Sequence, residues 1–369
     1  MRQTGIANLP LHGGKAPPWL FQRMVRLGRE IVRLIVEDQG PRELLTRISD
    51  PYWFQSLGCV LGFDWHSSGV TTTVCGALKE GLRGMERELG LVIAGGKGAT
   101  SRKTPAEIVA AGERYSLARD PKELVQLSRL TAKIDNNAVQ DGFQLYHHNF
   151  FFTLDGAWAV VQQGMSDRYA RRYHWHSETV KELTVDPHSA ICAPFKQDRV
   201  LNLVAAESIP AQDVMTELSR ESPDKIVREL NQMKTLTLPA RHSVAVADLR
   251  PESIEKILLK TYEAQANNFE TLLGMPGVGA KTLRALALIS EVTYGTAASW
   301  KDPAKFSFAH GGKDGHPYRV NRQVYDQSIE ILRKTLERVR VERSEKDNAL
   351  KRLNTLWAED KPAFPLARE

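Results

Sequence analysis

"QLYHHNFFFTLDGAWAVVQQG", residues 144–164, decides the fold. Two runs rich in aromatic and β-branched residues flank Leu154-Asp155-Gly156, which predicts a β-hairpin and with it an antiparallel sheet. Downstream, "RRYHWHSE" (171–178) lies in reach of the hairpin. Upstream, "LVIAGGKGATSRKTPAEI" (91–108) reads as strand, glycine-rich loop and helix, with Thr104, Pro105 and Glu107 spaced as a capping box. Further back, residues 17–40 place Leu20, Met24, Leu27, Ile31, Leu34 and Ile35 at helical intervals, "PRELLTRIS" forms a short second helix, and residues 50–90 run from an aromatic turn into a helical stretch. After about residue 200 the patterning is helical: 205–233, 250–295 and 324–339. The expected fold is α+β, with a mixed α/β domain over 1–200 and an all-helical domain over 201–369.

The 369 residues, 42% hydrophobic and 25% charged, suffice for two globular cores. No apolar run approaches the roughly 20 residues of a membrane span, and "MRQTGIANLP" lacks the apolar centre of a signal peptide. Cys59, Cys75 and Cys192 are widely spaced, which excludes a disulfide framework and a cysteine metal motif and leads to a cytoplasmic expectation. A net charge of +6 and a pI near 9.1 permit a polyanionic partner.

The most specific stretch is "LLGMPGVGAKTLRALAL" (272–288), which has the form of a helix-hairpin-helix within 268–290. Gly277 and Gly279 expose backbone N–H groups at a helix start, and Lys281 and Thr282 open the second helix. Donors, helix dipole and lysine converge where a phosphate fits, and no base is read. The stretch resembles the helix-hairpin-helix of base-excision DNA glycosylases. That resemblance implies a DNA-repair setting and, in the bifunctional enzymes, a Schiff-base lysine at Lys281 with a following acid. Asp314 and Asp326 are the candidates for that acid, although the Val-Asp step of the family reads here as Val320-Asn321.

The first domain carries its own polar groups: Asp64 and His66, Asp141, His147 and His148, and Arg171, Arg172, His174 and His176. On a strand, His174 and His176 share a face, as two ligands of a divalent metal (Mg, Mn or Zn) would. With His66, His147 and His148 they form the candidate metal set, completed by carboxylate from Asp64 or Asp141, and a metal there would activate water for phosphodiester cleavage. Trp65, Tyr146, Tyr173 and Trp175 alternate with basic residues, as platforms for single-stranded nucleic acid do.

Gly-Gly-Lys occurs three times, ending at Lys15, Lys97 and Lys313. Glycine pairs admit close backbone approach, and a lysine beside them suits an oxyanion. Lys15, Gly96, Lys97, Lys103, Arg171, Arg172 and Lys313, with the helix-hairpin-helix, are therefore expected along one nucleic-acid path. "TGIANLPLHGGKAPPWL", "DPYWFQSLGCVLGFDWHSSGVTT", "QDGFQLYHH", "VVQQGM", "YARRYHW" and "FAHGGKDG" resemble the domain of unknown function 763 family, over most of residues 1–320. That resemblance implies that the two domains form one unit. The expected function is metal-dependent DNA cleavage; the catalytic candidates are Asp64, His66, Asp141 and His147 for that chemistry and Lys281 and Asp314 for the lyase alternative. A glycosylase or abasic-site lyase using Lys281 and a non-catalytic DNA-binding module are the alternatives. No membrane partner is expected.

Overall fold

The structure, a computed structural model, describes residues 16–63, 68–193, 195–233, 236, 251–304 and 322–358. The chain enters through four helices, α1 (Pro18–Gln39), α2 (Pro41–Ser49), α3 (Pro51–Leu61) and α4 (Gly69–Gly81). Proline opens α1, α2 and α3, where its missing N–H costs no helix bond. The aromatic turn expected near residue 50 is a helix instead: the Asp50 carboxylate caps α3 by accepting from the Tyr52 and Trp53 N–H groups. Every residue of α3 is buried, so the sequence lacks the amphipathic period that would reveal a helix.

After α5 (Glu86–Leu89) come β1 (Leu91–Lys97), a 3₁₀ turn (Gly98–Lys103), α6 (Thr104–Arg114), α7 (Pro121–Lys133), a π-helical turn (Ile134–Ala138) and β2 (Val139–Gln140). The hairpin forms as the sequence predicts, from β3 (Gln144–Thr153) and β4 (Trp158–Met165), with Gly156 in the turn at φ 90°. With β5 (Ala170–His176) and β6 (Ala190–Cys192) they build an antiparallel sheet of order β1-β3-β4-β5-β6, while β7 (Leu201–Asn202) pairs with β2. Among the described residues the further α-helices are α8 (Ile209–Leu218), α9 (Pro223–Met233), α10 (Pro251–Ala264), α11 (Phe269–Gly274), α12 (Ala280–Tyr294), α13 (Arg322–Arg338) and α14 (Arg343–Ala358). The fold is α+β.

Both faces of the sheet are covered. Phe151, Ala159 and Val161 pack with α1–α4, whereas Phe150, Phe152, Val160 and Trp175 pack with α6–α8 and α12. That explains the uninterrupted Phe150-Phe151-Phe152: a strand between two cores has no wet side. Leu332, Leu336 and Val339 of α13 and its C-terminal flank, with Ala349 and Leu353 of α14, join the core of α1–α4. Described residues between 201 and 298 join α6 and α7 in the core on the opposite face. Among the described residues, no helix is long and apolar enough to cross a membrane.

Candidate functional site

Residues 275–279 turn sharply between α11 and α12. Gly277 sits at φ 91°, in the left-handed region that favours glycine, and is exposed. A Cβ there would lie 2.6 Å from Ile257 Cδ1, so α10 closes one side of the turn. Val278 is 2% exposed and fills the gap between the helices. Gly279 is the N-cap of α12 and offers no side-chain oxygen, so no cap side chain competes for the first-turn N–H groups. Lys281 is exposed beside them, whereas Thr282 is buried at 2% exposure and belongs to the interior.

The turn is held from behind by α7. The Lys133 ammonium donates to three hairpin carbonyls, Leu273 O at 2.7 Å, Met275 O at 2.5 Å and Val278 O at 3.2 Å. Burial pulls the Lys133 pKa below the ordinary lysine value, while three carbonyl acceptors favour the charged form. Gln140 bridges the helix start, donating to Ala280 O at 2.9 Å and accepting from Arg284 Nε at 2.7 Å. The carbonyls of Leu273, Met275 and Val278 thus face the protein, and the Val278 N–H is spent on Met275 O at 3.3 Å.

The central Gly-Gly-Lys is the end of β1. Gly95, Gly96 and Lys97 pair with Asn149, His148 and His147. Gly95 lies at φ 96°, and a Cβ would fall 2.2 Å from His148 O, so the pairing itself demands glycine. Its N–H donates to Glu107 at 2.7 Å, and its carbonyl accepts from Lys79 at 2.7 Å. Glu107 is therefore spent on Gly95 and Lys79, and the Thr104 hydroxyl donates to Ser101 O, so the expected capping box does not form. Gly96 is half-buried, and Lys97 and Lys103 are exposed. The other two Gly-Gly-Lys strings, with Lys15 and Lys313, lie outside the described residues, as do Asp64, Trp65, His66 and Asp314.

Arg171 and Arg172, expected at phosphates, are turned into the protein at 0% exposure because both sheet faces are covered. Arg171 bridges Asp141 at 2.9 Å and Asp302 at 2.6 Å, and the Tyr173 hydroxyl donates to Asp141 at 2.7 Å. Burial opposes the charge of Arg171, but its two carboxylates and Tyr173 outweigh that and raise its pKa. Asp141 is thus a structural counter-ion rather than a solvent-facing catalytic base, although burial still raises its pKa. Arg172 donates to Gln55 at 3.0 Å, Thr71 at 3.3 Å and His174 Nε2 at 2.9 Å. Tyr173 and Trp175 are core residues, so neither offers a stacking platform.

The expected metal set is not brought together. His174 donates Nδ1–H to Ile48 O at 3.0 Å and accepts from Arg172 at Nε2, so both ring nitrogens are occupied. His148 likewise meets Gln162 at 2.7 Å and Ser128 at 2.9 Å. Burial lowers the pKa of His174, His148 and His176. Among the described residues, no group of three or more His, Cys, Asp or Glu side chains could hold a metal ion. His147 differs from the rest: it is 1% exposed, and neither of its ring nitrogens has a hydrogen-bond partner. Burial, with His148 and Lys97 nearby, pushes its pKa down to about 3.

A family described as "Protein of unknown function (DUF763)" matches residues 5–320. The chain belongs to that family. Neither a curated protein nor a solved structure matches it. The family match spans the hairpin, the sheet and the Gly-Gly-Lys strings alike, so one family profile covers both regions that the sequence separates at residue 200. Sequence reasoning missed Lys133, Asp302 and His188. His188 binds Asp135, which also accepts from Trp175 at 3.0 Å and from Gln162. No local pattern marks these residues, because their partners are remote in sequence.

Proposed function

We propose that this protein binds nucleic acid through its sugar-phosphate backbone, with DNA as the partner and the glycine turn of 275–279 seated on a phosphate. One observation carries the reading: Gly277 and Lys281 are exposed and Gly279 half-buried at the uncapped start of the 15-residue α12, while Lys133 bonds the carbonyls behind them. Helix starts of this kind favour anions. Lys281 acts as a phosphate clamp. A covalent lysine needs a desolvated amine, and this one is exposed, so borohydride should trap no adduct on an abasic duplex.

Duplex binding measured by fluorescence anisotropy between 50 and 200 mM salt tests the proposal. Lys281→Ala should weaken binding and lower the salt slope by about one. Unchanged affinity and slope would overturn it. Metal-dependent cutting would extend the same reading; two of its candidates, Asp64 and His66, lie outside the described residues. Parallel incubations with Mg²⁺, Mn²⁺ or EDTA read that extension directly.

A further inference from the structure

We propose that Ser128 is a nucleophile and His148 its general base, forming a hydrolytic centre for short carboxylic esters that carry a negative charge. The inference is independent of the nucleic-acid reading. It starts from one chain of contacts between α7 and the sheet. His148 lies on the sheet face of Phe150 and Phe152, and Gln162 on that of Val160, which is the face α7 covers. The Ser128 hydroxyl stands 2.9 Å from His148 Nε2, and His148 Nδ1 stands 2.7 Å from Gln162 Oε1.

The far end of Gln162 sets the direction of each bond. Its amide nitrogen donates to two acceptors, Thr131 O at 3.0 Å and an Asp135 carboxylate oxygen, so the amide oxygen is the atom that faces His148. An amide oxygen only accepts, so Nδ1 carries the ring proton. Burial lowers the His148 pKa and keeps the ring neutral at pH 7, which leaves Nε2 unprotonated. Nε2 therefore takes its hydrogen bond from Ser128. Hydroxyl, imidazole and amide stand in the order of a nucleophile, its base and the group that orients the base.

Ser128 and His148 also line one cavity of about 240 Å³, where Pro105 and Ala132 supply apolar wall. Its volume lies below the roughly 300–1,000 Å³ of drug-sized sites, which suits a short acyl group. Arg102 and Arg129 line it as well and are exposed, and no acidic residue among the described ones does, so an anionic substrate is favoured. In the first step Ser128 Oγ attacks the ester carbonyl carbon while its proton passes to His148 Nε2. The bond to the leaving alcohol breaks, and the alkoxide takes that proton. Water then attacks the acyl-serine and gives one proton to Nε2. The bond to Oγ breaks, Oγ recovers the proton, and the carboxylic acid leaves.

Labelling of the full chain with a fluorophosphonate probe, read by peptide mass spectrometry, tests the nucleophile. One equivalent on Ser128 is expected. Ser128→Ala keeps α7, since alanine is the better helix former, and should take no label. His148→Gln should label at least about a hundredfold more slowly. The labelling rate of the native chain should be flat above neutrality and fall in acid, as Nε2 takes a proton. Mono-p-nitrophenyl succinate should be hydrolysed about fivefold faster than p-nitrophenyl butyrate, the worth of an exposed ion pair. Ser128→Ala should lose at least about a hundredfold of that rate. No label, label on another residue, a labelling rate that climbs steadily into alkali, or hydrolysis by Ser128→Ala at the native rate each overturns the proposal. Equal rates on the two esters overturn the anionic substrate class.

Discussion

Arg171 shows what a single side chain can conceal in a sequence. In "RYARRYHW" it reads as part of a basic patch, yet it is the centre of a buried Asp141–Arg171–Asp302 bridge. The misreading has a definite cause: inside-out alternation identifies a wet face only where a strand has one, and β5 lies between two cores. The Gln197 N–H also donates to Asp302, at 2.8 Å, so the bridge fastens the segments around residues 197 and 302 to the sheet. Arg171→Met should cost about 3–5 kcal/mol, because it strands two buried carboxylates without a counter-ion. The shift of the urea midpoint at neutral pH measures it, and a loss under 1 kcal/mol would contradict the bridge's role. Gly95 was legible as a glycine with a purpose, but the purpose is strand pairing against His148 O and not an open loop.

At the level of elements, the hairpin of β3 and β4 and the glycine turn between α11 and α12 were readable because their signals are local. The clamp on that turn was not. Lys133 and its first carbonyl partner are 140 residues apart, and nothing in the end of α7 announces the contact. Lys133→Met should loosen the turn without removing any phosphate contact. Duplex affinity should then fall several-fold while the salt slope stays unchanged, in contrast to Lys281→Ala. If the slope also fell, Lys133 would be touching the backbone itself. The helix α3 was misread for the opposite reason, since complete burial erases its period.

For the whole molecule, the buried histidines set the response to acid. His147 has a folded pKa near 3 against an ordinary 6.5, and burial lowers His148 and His174 as well. Below pH 6.5 the unfolded chain binds protons that the folded one refuses, so stability is complete above that pH. It is lost progressively as pH falls toward 3. Urea midpoints should be flat above neutrality and decline through this window, and His147→Gln should make the decline shallower. An unchanged slope in that variant would remove His147 from the account. The α+β class was legible at this scale. The way the two cores share the chain was not, because sequence order does not reveal that α13 and α14 return to the core of α1–α4.

That return has a consequence for biosynthesis. A nascent chain that has cleared the ribosome through residue 304 holds every strand of the sheet and the helices up to α12. It still lacks Leu332, Leu336 and Leu353, so Leu27 and Leu61 wait beside an unfinished core. Translation must deliver its last helices before the first ones are sealed, and until then apolar surface of the amino-terminal bundle stays uncovered.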